Sequence, residues 1–145
     1  MDSKELINLY LDISEQIVNE LEFDGSAKDK NNQYLFFSSL ENSLDYLALD
    51  VESILPLKTD SFHQLNYLAK WQKLSESLTV KNIINNEFGS DGLFMHIENV
   101  KEKISAPLND SIIFTNEAIN LKKINLILDK YKRFKMLLRK TLDEC

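Results

Sequence analysis

The chain has 145 residues, 43% of them hydrophobic and 28% charged, with three Gly, two Pro and one Cys. A chain of this size buries roughly 68–70% of its unfolded surface without help from a disulfide or metal; its hydrophobic content excludes disorder, and its few Gly and Pro exclude an all-β fold with many tight turns. The formal net charge of −6 is unevenly spread, since residues 1–60 carry thirteen acids and four bases whereas residues 116–145 carry four acids and eight bases.

Met1-Asp2-Ser3-Lys4-Glu5 is polar and leads straight into an amphipathic pattern, which is not the form of a secretory signal. No run approaches the roughly eighteen apolar residues of a membrane span, so no membrane partner is expected. Cys145 has no second cysteine to pair with, which fits a reducing, cytoplasmic compartment. Ser3 is the expected N-cap of a first helix reaching about Phe23. Its main stripe is Leu6, Leu9, Tyr10, Ile13, Ile17 and Leu21, widened by Ile7, Leu11 and Val18, so the helix is expected to touch two neighbours. Asp24-Gly25-Ser26 and Lys28-Asp29-Lys30-Asn31-Asn32 form a polar break that reads as a loop.

A second helix is expected from about Asn32 to Leu55, with Phe37, Leu40, Leu44, Leu47, Val51 and Ile54 at 3/4 spacing and Pro56 as its limit. Glu41, Asp45 and Glu52 share one ridge of it. Carboxylates so spaced can serve acid/base or metal chemistry, but no His joins them, and the ridge reads as solvated. Thr59 or Asp60 then caps a third helix through Phe62, Leu65, Leu68, Trp71, Leu74 and Leu78. It either continues or breaks near Thr79 to place Val80, Ile83, Ile84 and Phe88 before Gly89 stops it. Asp91 is the expected cap of a fourth helix with Leu93, Phe94, Ile97, Val100 and Ile104, limited by Pro107. The loop from Leu108 to Phe114 leads to Thr115 as the next cap.

The last predicted helix, Asn116 to Leu142, is the most informative stretch. Ile124, Ile127, Leu128, Tyr131, Phe134, Leu138 and Leu142 fall on one side at about 100° per residue and are expected to be buried. The rest of the circumference holds Lys122, Lys123, Lys130, Lys132, Arg133, Arg139 and Lys140, with Lys135 on the border. These are eight of the seventeen basic residues. Leu126 and Leu137 fall among Lys122, Lys130, Arg133 and Lys140, away from the core stripe. An apolar pair rimmed by charge has the composition of a partner-binding patch. The sequence therefore predicts an all-α, up-and-down bundle of about five helices in one domain.

No catalytic motif is present. His63 and His96 lack Asp, Glu or Cys at metal-ligand spacing, there is no glycine-rich phosphate loop or Cys-x-x-Cys, and Cys145 is a poor place for a nucleophile, so no metal or cofactor is expected. Trp71 with Tyr67 one turn earlier can form an aromatic platform, but reads as core.

The run from Leu93 to Pro107, Leu-Phe-Met-His-Ile-Glu-Asn-Val-Lys-Glu-Lys-Ile-Ser-Ala-Pro, resembles a helix end of the HEPN superfamily, where an apolar stripe leads into Arg-Asn-x-apolar-Ala-His followed by Pro or Gly. Ile119-Asn120-Leu121-Lys122-Lys123-Ile124 resembles the start of that superfamily's closing helix. The resemblance implies an all-α bundle, frequently dimeric, often an RNase or the partner of a nucleotidyltransferase in defence and toxin–antitoxin systems. Here Lys101 stands at the Arg position, Glu102 at the Asn position and Ala106 at the His position. Lys still offers a point charge to phosphate, but Ala offers no proton donor or acceptor, so RNase activity is not expected.

The expected function is a non-catalytic protein that binds and regulates a macromolecular partner, a protein, as an inhibitor or antitoxin-like regulator, through Lys122, Leu126, Lys130, Arg133, Leu137 and Lys140. The patch also allows a homodimer, and the acidic N-terminal half suits a basic, nucleic-acid-binding partner. The alternative is a HEPN-like protein that contacts RNA or nucleotides through Lys101, Lys103 and the final helix.

Overall fold

The structure is a computed structural model that describes residues 1–57, 60–105 and 120–143. Its elements are α1 (Ser3–Val18), α2 (Ala27–Ile54), a 3-10 turn at Phe62–Gln64, α3 (Tyr67–Leu74), α4 (Lys81–Phe88), α5 (Leu93–Ser105) and α6 (Leu121–Asp143), with no strand among the described residues. The fold is the all-α bundle expected from the periodicity, with the third predicted helix split into α3 and α4. Ala106, Pro107, the Leu108–Phe114 stretch, Thr59, Thr115 and Cys145 lie outside the described residues.

The helix ends differ from the sequence expectation for identifiable reasons. Asp2, not Ser3, caps α1, its carboxylate accepting from Glu5 N at 2.8 Å. The helix stops at Val18, well short of Phe23, which adopts a left-handed φ of 55°. The stretch from Lys28 to Asn32 is helical, not loop, because Ser26 caps α2 by accepting from Asp29 N at 3.1 Å. Asp29 in turn accepts from Glu22 N at 2.7 Å and from Gln33 Nε2 at 2.8 Å, which satisfies a carboxylate that is nearly buried.

α1 and α2 form an antiparallel hairpin, and its seam is shifted from the predicted stripe. Ile7, Leu11, Ser14 and Val18 are buried, whereas Leu9 is exposed. Small Ser14 lies in this seam and returns its hydroxyl to Tyr10 O at 2.9 Å. On α2, Phe37, Leu40, Leu44, Leu47 and Val51 are buried as expected, but Ile54 is exposed.

Between α2 and α5 the chain makes short pieces. Asn66 caps α3 by accepting from Ala69 N at 2.8 Å, and turns over residues 75–80 leave Leu78 exposed rather than in the core. The corner between α4 and α5 depends on Gly92, where a Cβ would lie 2.2 Å from the Glu87 carbonyl oxygen. So close an approach brings the Glu87 side chain to Leu93 N, 3.0 Å away. Glu87 therefore supplies a partner for the start of α5, the role expected of Asp91. α6 runs from Leu121 with Asn120 as its cap, accepting from Lys123 N at 2.9 Å; Asn116, the expected start, lies outside the described residues.

One continuous core joins the helices. Trp71 from α3, Phe88 from α4, Phe94 from α5 and Phe134 from α6 form its aromatic centre, with Trp71 and Phe134 edge-on at 4.9 Å and Phe88 and Phe94 at 4.6 Å. Trp71 is thus core, and its Nε1 donates to Leu44 O at 3.2 Å. The buried Lys70 ammonium uses its three protons on Asp45, 2.9 Å away, and on the carbonyls of His63 and Leu65.

Ser43 ties three helices together. Its hydroxyl donates to Ile7 O at 2.8 Å and, with its one proton so placed, accepts from the Tyr131 hydroxyl at 2.6 Å. Burial pushes the Tyr131 phenol pKa up, so it stays a donor. Ser43→Ala is expected to cost about 1–3 kcal/mol by stranding the Tyr131 hydroxyl. In urea unfolding, the Ser43→Ala, Tyr131→Phe double variant is expected to lose less than the sum of its parts, as coupled groups do.

Candidate functional site

On α6 the apolar stripe is where the sequence puts it: Ile124, Ile127, Leu128, Tyr131, Phe134 and Leu138 are buried, and Leu142 at its end is partly buried against the core. Leu126 and Leu137 are not, at 41% and 39% exposed. Lys122, Arg133 and Lys140 are exposed around them. Lys130 departs from this group, with its side chain only 16% exposed and its ammonium 3.5 Å from Asp91 at the α4–α5 corner. The other flank of α6 lies along α1, where Lys132 meets Glu15 at 2.6 Å and Lys135 donates to Asn8 at 2.7 Å. The basic helix is thus held between an acidic helix and an acidic corner, and its outward surface retains two leucines and three of the singled-out cations. Met136, at 61% exposure, and Leu121, at 47%, add apolar surface to the same helix. Sequence reading passed over both, although their positions off the core stripe were visible in the helical spacing.

Asp91 also accepts from His96 Nε2, 2.9 Å away, when that nitrogen carries the proton. Hydrogen bonding to His96 and the nearby Lys130 charge hold the Asp91 carboxyl below its ordinary value. His63 is exposed on the 3-10 turn. Among the described residues, no three His, Cys, Asp or Glu side chains are grouped to hold a metal ion, and no helix is long and apolar enough to cross a membrane.

The carboxylate ridge on α2 is not a solvated face. Glu41 pairs with Lys101 of α5, Asp45 pairs with Lys70, and Glu98 reaches Lys101 at 3.3 Å from the other side. Burial alone would push the Lys101 ammonium down, but Glu41 and then Glu98 outweigh it and hold its pKa above the ordinary value. Lys101 is therefore already matched by two carboxylates, while Lys103 is half-buried one turn from the end of α5. Beside the Glu41–Lys101 pair, α2 and α5 enclose a cleft of about 280 Å³ lined by Tyr34, Phe37, Ser38, Glu41, Lys101 and Ile104. No sequence signal pointed to this cleft, since it exists only where the two helices cross. Its walls combine apolar side chains with one ion pair, and the carboxylate beside Ser38, that of Glu41, is engaged by Lys101.

The Tyr67 hydroxyl is buried near this cluster without a hydrogen bond. Burial, and then the charges of Glu98 and Glu41, push its pKa up from 10.0. Because burial and the two carboxylates disfavour the phenolate only in the folded state, the protein loses stability as pH rises above the phenol's ordinary pKa of 10.0. Tyr67→Phe removes the unpartnered hydroxyl and is expected to raise stability at pH 7 by on the order of 1 kcal/mol. Urea midpoints are expected to show the variant's advantage growing above pH 10, by up to about 1.4 kcal/mol per pH unit.

No protein-family model, curated protein or solved structure matches this chain.

Proposed function

We propose that this is a non-catalytic helical protein that binds and regulates another protein through the outer face of α6, in the manner of an inhibitor or antitoxin. The observation that carries the reading is the exposure of Leu126 and Leu137 on the side of the helix away from its buried stripe of Ile124, Ile127, Leu128 and Leu138. Leucines left in water beside Lys122, Arg133 and Lys140 give an interface an apolar centre and a charged rim.

The alternative, RNA or nucleotide contact by a HEPN-like protein, relies on Lys101, Lys103 and the basic final helix. Phosphate at Lys101 has to compete with Glu41 and Glu98, which already surround the ammonium. Bound RNA would also be released steeply as salt rises, whereas a contact centred on leucines weakens little. The overall charge of −6 further opposes nonspecific phosphate binding. Labelled RNA is expected to remain intact on incubation with the protein; cleavage that disappears in Lys101→Ala or His96→Ala would restore the enzymatic reading.

Stability and binding separate the outer leucines from the core. Replacing Leu126 and Leu137 by Ser is expected to change stability by no more than about 0.5 kcal/mol per site. Leu128→Ala is expected to cost on the order of 2–5 kcal/mol, through lost burial and the cavity left behind. Partner capture is expected to be lost in the double-leucine variant, which melts like the parent. A double variant as unstable as Leu128→Ala removes the proposed face.

A further inference from the structure

We infer that the occupant of the α6 face is an acidic amphipathic helix of a second protein; this rests on the reading of that face as a protein-binding surface. Leu126 and Leu137 are eleven residues apart, which is three helical turns, about 16 Å along the axis and nearly the same angular position. They form a straight row with Arg133 between them, while Met136 widens the apolar surface on one side of Arg133. A row of this length is complemented by a helix laid along it at a shallow crossing angle, with apolar residues at i, i+4, i+7 and i+11 on its own facing side.

Charge specifies that helix further. Lys122, Arg133 and Lys140 are exposed at one end, the middle and the other end of the row, and none has an ion pair among the described residues. Lys130 and Lys132, by contrast, are engaged by Asp91 and Glu15 within the chain. With the exposed Asp129 the one acid beside the row, the rim open to a partner is net positive over three turns, and the matching rim carries mostly Glu or Asp. A second copy docked antiparallel about a two-fold axis would set the Lys122 end of the row against the Lys140 end of its partner, a like-charge contact at both ends. An RNA strand would place phosphates over the two leucines and beside the exposed Asp129.

The test uses the full chain and two fluorescein-labelled peptides of about 18 residues, both with leucines at i, i+4, i+7 and i+11, one flanked by Glu and the other by Lys. Anisotropy at about 0.15 M salt, where rim charges still act over roughly 8 Å, is expected to show the Glu peptide bound at least about tenfold tighter. Leu126→Ser/Leu137→Ser is expected to lose at least about tenfold in affinity for it, and Arg133→Glu/Lys140→Glu to turn the preference toward the Lys peptide. Equal binding of the two peptides, binding of neither, or a preference that ignores the charge reversal overturns the inference. So does self-association in sedimentation velocity that the leucine variant abolishes, or sedimentation with anionic lipid vesicles. Loss of binding in a stable leucine variant, with no response to charge reversal, leaves the face intact and removes only the acidic helix. Destabilisation of the leucine variant to the level of Leu128→Ala removes the face itself.

Discussion

One turn of α2, from Glu41 to Asp45, is where the bundle is tied together. Ser43 takes in Ile7 of α1 and Tyr131 of α6, the Leu44 carbonyl takes in Trp71 of α3, Asp45 takes in Lys70, and Glu41 takes in Lys101 of α5. Apolar burial supplies the drive to collapse but is indifferent to small slips of one helix along another. The polar contacts are not, because a slip strands a buried donor or acceptor and costs about 1–3 kcal/mol for each group left unpaired. The register of four neighbours is thus specified within five residues of a single helix.

That junction also explains which parts of the fold the sequence makes legible. α6 is read almost residue by residue because it is long and has one sharply defined apolar side. α1 is read with its seam misplaced, since a count of apolar residues favours Leu9 and has no means of seeing that Ser14 is buried and that the register is tied through Ile7 O. The start of α2 is misread because Lys28 to Asn32 is polar throughout, and only the Ser26 and Asp29 contacts reveal a helix there. Glu41 and Asp45 look like a solvated ridge until Lys101 and Lys70, many residues later in the chain, are brought against them. The same holds for the cleft beside Glu41, whereas the candidate face on α6 belongs to one helix and so is visible from spacing alone.

The polarity of the chain, acidic early and basic late, is resolved in part by packing. Glu15 and Asp91 engage Lys132 and Lys130 on the flanks of α6, whose rotation about its axis is set by the buried stripe that includes Tyr131 and Phe134. Such exposed or half-exposed pairs contribute little to stability, a median of about 0–1 kcal/mol, but they match two of the helix's cations within the chain. Arg133 and Lys140 lie on the outer side, opposite the stripe.

The bond between Ser43 and Tyr131 spans 88 positions of the chain, and this separation has a consequence for synthesis on the ribosome. Residues emerge at about 5–20 per second, N-terminal first, so the α1–α2 hairpin is outside the tunnel several seconds before Tyr131 is made. During that interval the nascent hairpin is strongly acidic, its Ser43 hydroxyl has only Ile7 as a partner, and the side of α2 awaiting α6 is open to water. Arrival of the basic helix then closes the core and cancels part of the charge in one step.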